Sequence, residues 1–245
     1  MYKLYVLCLA SVVMGLVRNR TTLDELANTC LEGRQHKYEP TPEPALFKHC
    51  KPWKDRSCCA RNTSEAIHTS DVWLSLEWNH CGNMSAKCLE QFHREACFYQ
   101  CSPNLGPWLK LIDETLSFGY ERYRDVPICE TDCSNWWNAC KDDLTCVPNW
   151  EADMNFTDGG FVCPTKSTCK PFTEIYGNST NFCETIWDNS YKVVPDREPC
   201  MHYWFAEGSG NPNDKITLMK LGINQTTTIS TNIALLILVL CINFM

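Results

Sequence analysis

Cysteine is the side chain whose chemistry dominates this sequence. Sixteen of its eighteen cysteines lie between Cys30 and Cys200, and the other two, Cys8 and Cys241, sit in short apolar stretches at either end. Thiols at this density either bind soft metal ions or oxidise to disulfides. Structural zinc sites are usually built on two cysteines separated by two residues, and that spacing occurs nowhere here. The expectation is therefore eight disulfides, none left over, and no metal. The six histidines, His36, His49, His68, His80, His93 and His202, are scattered, and no G-x-S-x-G, H-E-x-x-H or phosphate-loop pattern occurs. Neither an enzymatic activity nor a cofactor is signalled.

The cysteine spacing also speaks about the elements that hold it. Cys97 and Cys101 are four apart, as are Cys129 and Cys133, and Cys140 follows seven after Cys133. On helices these thiols share a face, with parallel side chains that fit disulfide geometry poorly. Each helix should then be tied to different neighbours, and the adjacent Cys58 and Cys59 must also seek separate partners. Apolar spacing predicts helices over 85–99 (Cys88, Phe92, Ala96, Tyr99), 106–118 (opened by Pro107), 130–141 (Trp136, Trp137, Cys140) and 181–193 (Phe182, Ile186, Trp187). Pro40–Pro44 and Asp196–Pro199 read as turns. Trp73, Trp78, Tyr99, Trp150, Trp187 and Tyr191, spread over several segments, are candidate walls for a planar ligand.

The ends place the chain in the secretory route. Residues 1–15 carry Lys3, an apolar run from Leu4 to Val13 and Gly15, the plan of a cleaved signal peptide. Residues 222–245 read as a GPI-anchor signal: small or permissive Gly222 and Asn224, a polar spacer and the tail IALLILVLCINFM with no cationic flank, with attachment expected within Gly222–Thr226. Sequons stand at Asn19, Asn62, Asn83, Asn155, Asn178 and Asn224, and Asn62, Asn83, Asn155 and Asn178 are the expected glycan carriers. Loss of Lys3 with the leader takes the net charge from −7 to −8, which gives no electrostatic footprint for nucleic acid. The expected protein is one domain, residues 16–221, on the outer face of the plasma membrane.

Longer strings are more specific. WNHCGNMSAKC, ACFYQCSPNLGPW, VPICETDCSNWWNACKDDLTC, NFCETIWDNSYKV and MHYWFAEGSGNPN resemble the folate receptor family over roughly Leu26 to Asn213, and ACKDD and CKPFTEIYGNST are also similar to egg riboflavin-binding proteins. The resemblance implies a disulfide-rich α+β fold, one helix-centred globular domain with long loops and short strands. It implies the pairs Cys30–Cys58, Cys50–Cys97, Cys59–Cys101, Cys81–Cys169, Cys88–Cys140, Cys129–Cys200, Cys133–Cys183 and Cys146–Cys163; all sixteen positions are present.

The resemblance also implies a ligand site. Glu95 stands where the family carries the Asp that pairs with pterin N–H groups. A longer side chain keeps the two-oxygen acceptor but moves it by roughly 1.5 Å. Tyr99, Trp150, Trp187 and Tyr191 match ligand-contacting aromatics, Phe118 falls near another, and Arg122 and Ser190 match polar contacts. The chain departs from the pattern at Leu74 and Leu76, where aromatics are usual. It departs again at Glu151, Ala152, Met154 and Phe156, where the family has His, Lys and Trp residues. Exchanging a cation for Ala152 and a His for Glu151 weakens the hold on folate's carboxylates by about 1 kcal/mol each. The implied function is a GPI-anchored receptor that takes folate or a pterin-like vitamin into the cell. The alternatives are adhesion like that of Juno, the egg-surface family member that binds sperm Izumo without folate, and riboflavin binding.

Overall fold

Ser85 caps the longest helix: its hydroxyl accepts from the Cys88 N–H, and its own N–H and hydroxyl reach the Asp143 carboxylate at 2.6 Å. The computed structural model describes residues 20–33, 35–70, 72–73, 76–111, 121–157 and 160–223. The leader, Asn19, Leu74, Phe118, Asn224 and the apolar tail lie outside them, as do the side chains of Val72 and Trp73.

In chain order, helix α1 (Leu23–Ala27) is followed by a 3-10 helix (Lys48–Trp53), α2 (Arg61–Thr69), strands β1 (Val72–Trp73) and β2 (Leu76–Glu77), and α3 (Ala86–Cys101). A 3-10 turn (Gly106–Trp108) leads into β3 (Leu109–Leu111); then come β4 (Glu121–Tyr123), β5 (Val126–Cys129), α4 (Glu130–Cys140) and β6 (Leu144–Thr145). Next are β7 (Asn155–Thr157), β8 (Gly160–Val162), β9 (Lys170–Pro171), α5 (Phe172–Tyr176), α6 (Ser179–Thr185), β10 (Tyr191–Val194) and α7 (Asn213–Lys220). The strands form one four-stranded sheet, β1-β2-β8-β7, and three two-stranded pairs, among them the parallel β10–β5. This is a disulfide-rich α+β domain.

Helix α3 is the hub, packed on α2, α4 and the first 3-10 helix. Its buried face meets an aromatic core: Phe92 stacks on Trp150 at 5.0 Å and meets Trp136 edge-on at 5.2 Å, and Trp136 abuts Phe182 at 4.9 Å. Trp136 is buried and Trp137 half-buried, so the tandem tryptophans divide between faces. The eight disulfides join Cys30–Cys58, Cys50–Cys97, Cys59–Cys101, Cys81–Cys169, Cys88–Cys140, Cys129–Cys200, Cys133–Cys183 and Cys146–Cys163. No pair one helical turn apart bonds to itself. Helix α3 alone sends Cys88, Cys97 and Cys101 to three different segments. Each bridge stabilises by about 2–4 kcal/mol, and together they tie down loops that have little regular structure of their own.

Two predicted helices are corrected. Among the described residues of the span 106–118, Gly106–Trp108 is a 3-10 turn and Leu109–Leu111 is a strand paired with β4. A β-carbon on Gly106 would lie 2.1 Å from the Leu26 carbonyl oxygen, so close backbone approach, not helix propensity, fixes this corner. Over 181–193 the helix ends at Thr185. Asp188 and Asn189 then take left-handed backbone (φ 45° and 60°), which short polar side chains tolerate, and Tyr191 begins a strand against Val126.

Candidate functional site

Helix α3 presents Glu95 and, one turn later, Tyr99 on one face, opposite the strand pairs that carry Arg122, Tyr123 and Tyr191. Glu95 is 2% exposed, and among the described residues no cation is paired to it. Its Oε1 accepts the Tyr191 hydroxyl, which in turn lies 2.9 Å from the Tyr123 hydroxyl. Its Oε2 is buried and has no hydrogen-bond partner among the described residues. Burial pushes the Glu95 carboxyl up to about 8, against the opposing Tyr191 hydrogen bond. At neutral pH Glu95 is thus a largely protonated acid whose second oxygen meets no partner among the described residues.

Around it lies a coupled cluster. Burial, then the charges of Glu151 and Glu95, raises the Tyr99 phenol, with Arg122 opposing. Arg122 itself is committed: its Nη1 meets Asp188 at 2.7 Å and Glu151 at 3.1 Å, and its Nη2 donates to the carbonyls of Asp188 (2.6 Å) and Trp187 (3.1 Å) and, at 3.4 Å, to Ser190. Burial raises the Glu151 carboxyl, with Arg122 opposing and Asp188 adding to the rise. Two more buried donors, Arg122 Nε and Trp187 Nε1, find no acceptor among the described residues. Native interiors leave few such groups unpaired, and here an acceptor and two donors occur in one neighbourhood.

The aromatic walls read from sequence divide. Tyr99 and Trp187 are half-buried. Trp150 is 1% exposed, stacked on Phe92, and its indole N–H is spent on Thr145 Oγ1 at 2.8 Å. Trp78 is likewise core, tilted against Phe92. Tyr191 is fully buried and acts here as the donor to Glu95. Tyr123 was not singled out by sequence. The only signal for it is the alternation Glu121-Arg122-Tyr123, buried, half-buried, buried, on a strand of three residues. Of the loop that departs from the family pattern, Met154 is buried and Phe156 exposed.

The fold and site define a disulfide-stapled α+β domain organised around a buried carboxyl group, with no cysteine of the domain left free for catalysis or metal. Comparison with known proteins gives the family. The model of the folate receptor family matches residues 29–202. Human folate receptor alpha is 39% identical over 196 residues, covering 78% of this chain and 76% of its own; human folate receptor gamma is 36% identical over 203 residues, covering 81% and 82%. The riboflavin-binding protein of Dromaius novaehollandiae is 37% identical over 175 residues, covering 71% and 70%. The chain belongs to the folate receptor family.

Proposed function

We propose that this protein is a cell-surface receptor that binds folate or a related pterin-like vitamin and carries it inward by endocytosis, with Glu95 as the anchoring acceptor. The observation that carries the reading is the Glu95 carboxyl, buried and with Oε2 unpartnered among the described residues. A heterocycle offering two adjacent N–H donors satisfies both oxygens of a carboxylate. Its arrival stabilises the ionised form, so binding from neutral solution releases a proton. Tyr99 and Trp187 supply flat surface beside the acid, and Ser190 a hydroxyl. Residues 1–15 act as a signal peptide and residues 222–245 as a GPI-anchor signal. Sixteen half-cystines, which need an oxidising compartment, and exposed sequon asparagines at Asn62, Asn83, Asn155 and Asn178 support that route. Among the described residues no helix is long and apolar enough to cross a membrane.

A second reading, adhesion to a sperm-surface partner with weak or no folate binding, is favoured by one specific feature. Arg122, the cation matching the family's polar contact, is already held by Asp188 and Glu151, which leaves little attraction for folate's carboxylates. Riboflavin presents an N–H donor to the same acid without those carboxylates. Tryptophan-fluorescence titration with folate, 5-methyltetrahydrofolate and riboflavin separates the three. Saturable binding that disappears in Glu95→Gln supports the vitamin reading. No binding of any of them at micromolar concentration overturns it, and direct binding to a gamete-surface protein would then establish adhesion.

A further inference from the structure

Three histidines far apart in sequence meet away from the Glu95 site. His49 comes from the first 3-10 helix, His68 from the last turn of α2, and His93 from α3; one ring nitrogen from each lies within 4.8 Å of the other two. His93 lies two residues before Glu95, and two residues on a helix turn through about 200°, so the cluster occupies the far side of α3.

The hydrogen bonds assign the tautomer of His68. Its Nδ1 lies 2.7 Å from the Ser64 carbonyl, which only accepts, so Nδ1 carries the proton and Nε2 the lone pair; the His49 backbone N–H donates to that lone pair at 3.3 Å, a bond that a metal ion on Nε2 would replace. That bare nitrogen faces His49 Nδ1 at 3.2 Å. The other nitrogen of His49, Nε2, looks at the Glu90 carboxylate 3.6 Å away. The 3.2 Å separation matches the edge of a tetrahedral site: two Zn–N bonds of 2.0–2.1 Å at the tetrahedral angle place their nitrogens about 3.3 Å apart. The outer contacts are those that orient metal-bound imidazoles, a backbone carbonyl behind one ring and a carboxylate behind another. His93 adds a third ring at 4.8 Å from that of His68.

Two positive groups stand nearby: Lys48, whose Nζ lies over the Phe47 ring and keeps its charge, opposes a bound cation, whereas Arg94 is paired with the Glu90 carboxylate at 2.5 Å and packed on the face of Trp204 at 4.3 Å. All three rings are half-buried, which leaves room for solvent as a further ligand. Lys48 itself has φ +40°, a costly left-handed conformation for a residue with a β-carbon, immediately before His49. Among the described residues the other groupings with metal-ligand potential all include cysteines already used in disulfides.

We infer that His49, His68 and His93 form a tri-histidine site for a divalent transition-metal ion of the zinc class, with Glu90 and Ser64 as outer partners and water completing the shell. Imidazole triads suit zinc, copper and nickel over calcium or magnesium. The ion would join the first 3-10 helix, α2 and α3.

Zinc titrated calorimetrically into the purified protein, expressed in animal cells and stripped of metal, should bind at one ion per chain. Cobalt(II) should give the visible absorption of a tetrahedral imidazole site. Glu90→Gln should weaken binding about tenfold, and His68→Gln or His93→Gln by more than the roughly hundredfold upper range for outer partners. Unfolding midpoints of the metal-free variants establish that they fold; if one does not, His49→Gln takes its place. Anomalous diffraction at the zinc edge should place the ion among the three rings. Absence of zinc binding, binding unchanged in the folded variants, or an ion located elsewhere overturns the assignment.

Discussion

Two buried glutamates, Glu121 on the strand that carries Tyr123 and Glu95 on α3, are treated differently. Glu121, 4% exposed, is complete: Arg20 forks onto both its oxygens, with Nη2 to Oε2 at 3.0 Å, and the Glu32 N–H adds a bond at 2.8 Å. Arg20 is completed in turn by Thr29 Oγ1 at 2.5 Å and the Cys30 carbonyl at 2.7 Å. Glu95, 2% exposed, receives one phenol and nothing at Oε2 among the described residues. A buried charge whose partners come from its own chain is structural. A buried acid lacking them is kept neutral by its surroundings.

The largest effect should come from breaking the complete site. Glu121→Ala leaves the Arg20 guanidinium buried and unpaired, a loss of about 3–5 kcal/mol that chemical denaturation will measure. A loss below about 1 kcal/mol would mean the pair is solvated and the contrast false. Glu95→Gln should do the opposite to stability, leaving it equal or higher at pH 7, while ligand affinity falls by about 2–5 kcal/mol. Unchanged affinity in that variant would remove Glu95 from the site.

Proton linkage sharpens the same contrast. The folded-state value of Glu95 is raised, from 4.5 to about 8. Its contribution to stability is therefore fully present below about pH 4.5 and is lost as pH rises towards 8, by up to about 1.4 kcal/mol per unit. In metal-free buffer, the difference in unfolding free energy between wild type and Glu95→Gln should fall across that window and flatten above it. Ligand affinity should follow the reverse course, weakening as pH drops from 8 to 6, because the acid must ionise to accept two N–H groups.

Smaller effects probe the surroundings. Tyr123→Phe removes one hydroxyl from the chain leading to Glu95 and should cost about 1 kcal/mol of stability, read by thermal unfolding. Glu151→Gln frees Arg122 from one of its two carboxylates and should strengthen folate by about 0.5–1 kcal/mol relative to riboflavin, which has no carboxylate to gain from it. Equal changes for both ligands would show that Arg122 does not face the folate tail.

Much of the fold was legible because it depends on near neighbours. Helices α3 and α4 have long apolar and cysteine spacing and fall where predicted. The strands have two to four residues, too short for alternation to register. Helices α2 and α7, polar over most of their length, have little apolar spacing to announce them. Glu95 was visible only by resemblance. Its burial and its missing partner depend on Tyr191, 96 residues away, just as the fate of Arg122 depends on Asp188, 66 residues away.

The sequence by itself determined the covalent frame and the family: the number and spacing of cysteines, the two central helices and the strings around them. Those are properties of residue identity and local order. Tertiary structure alone decided which acid is satisfied and which is not, that Arg122 is held by two carboxylates of its own chain, and that His49, His68 and His93 meet. Burial and charge pairing are sums over neighbours brought from distant segments, and a linear pattern carries no record of those sums until the chain has closed on itself.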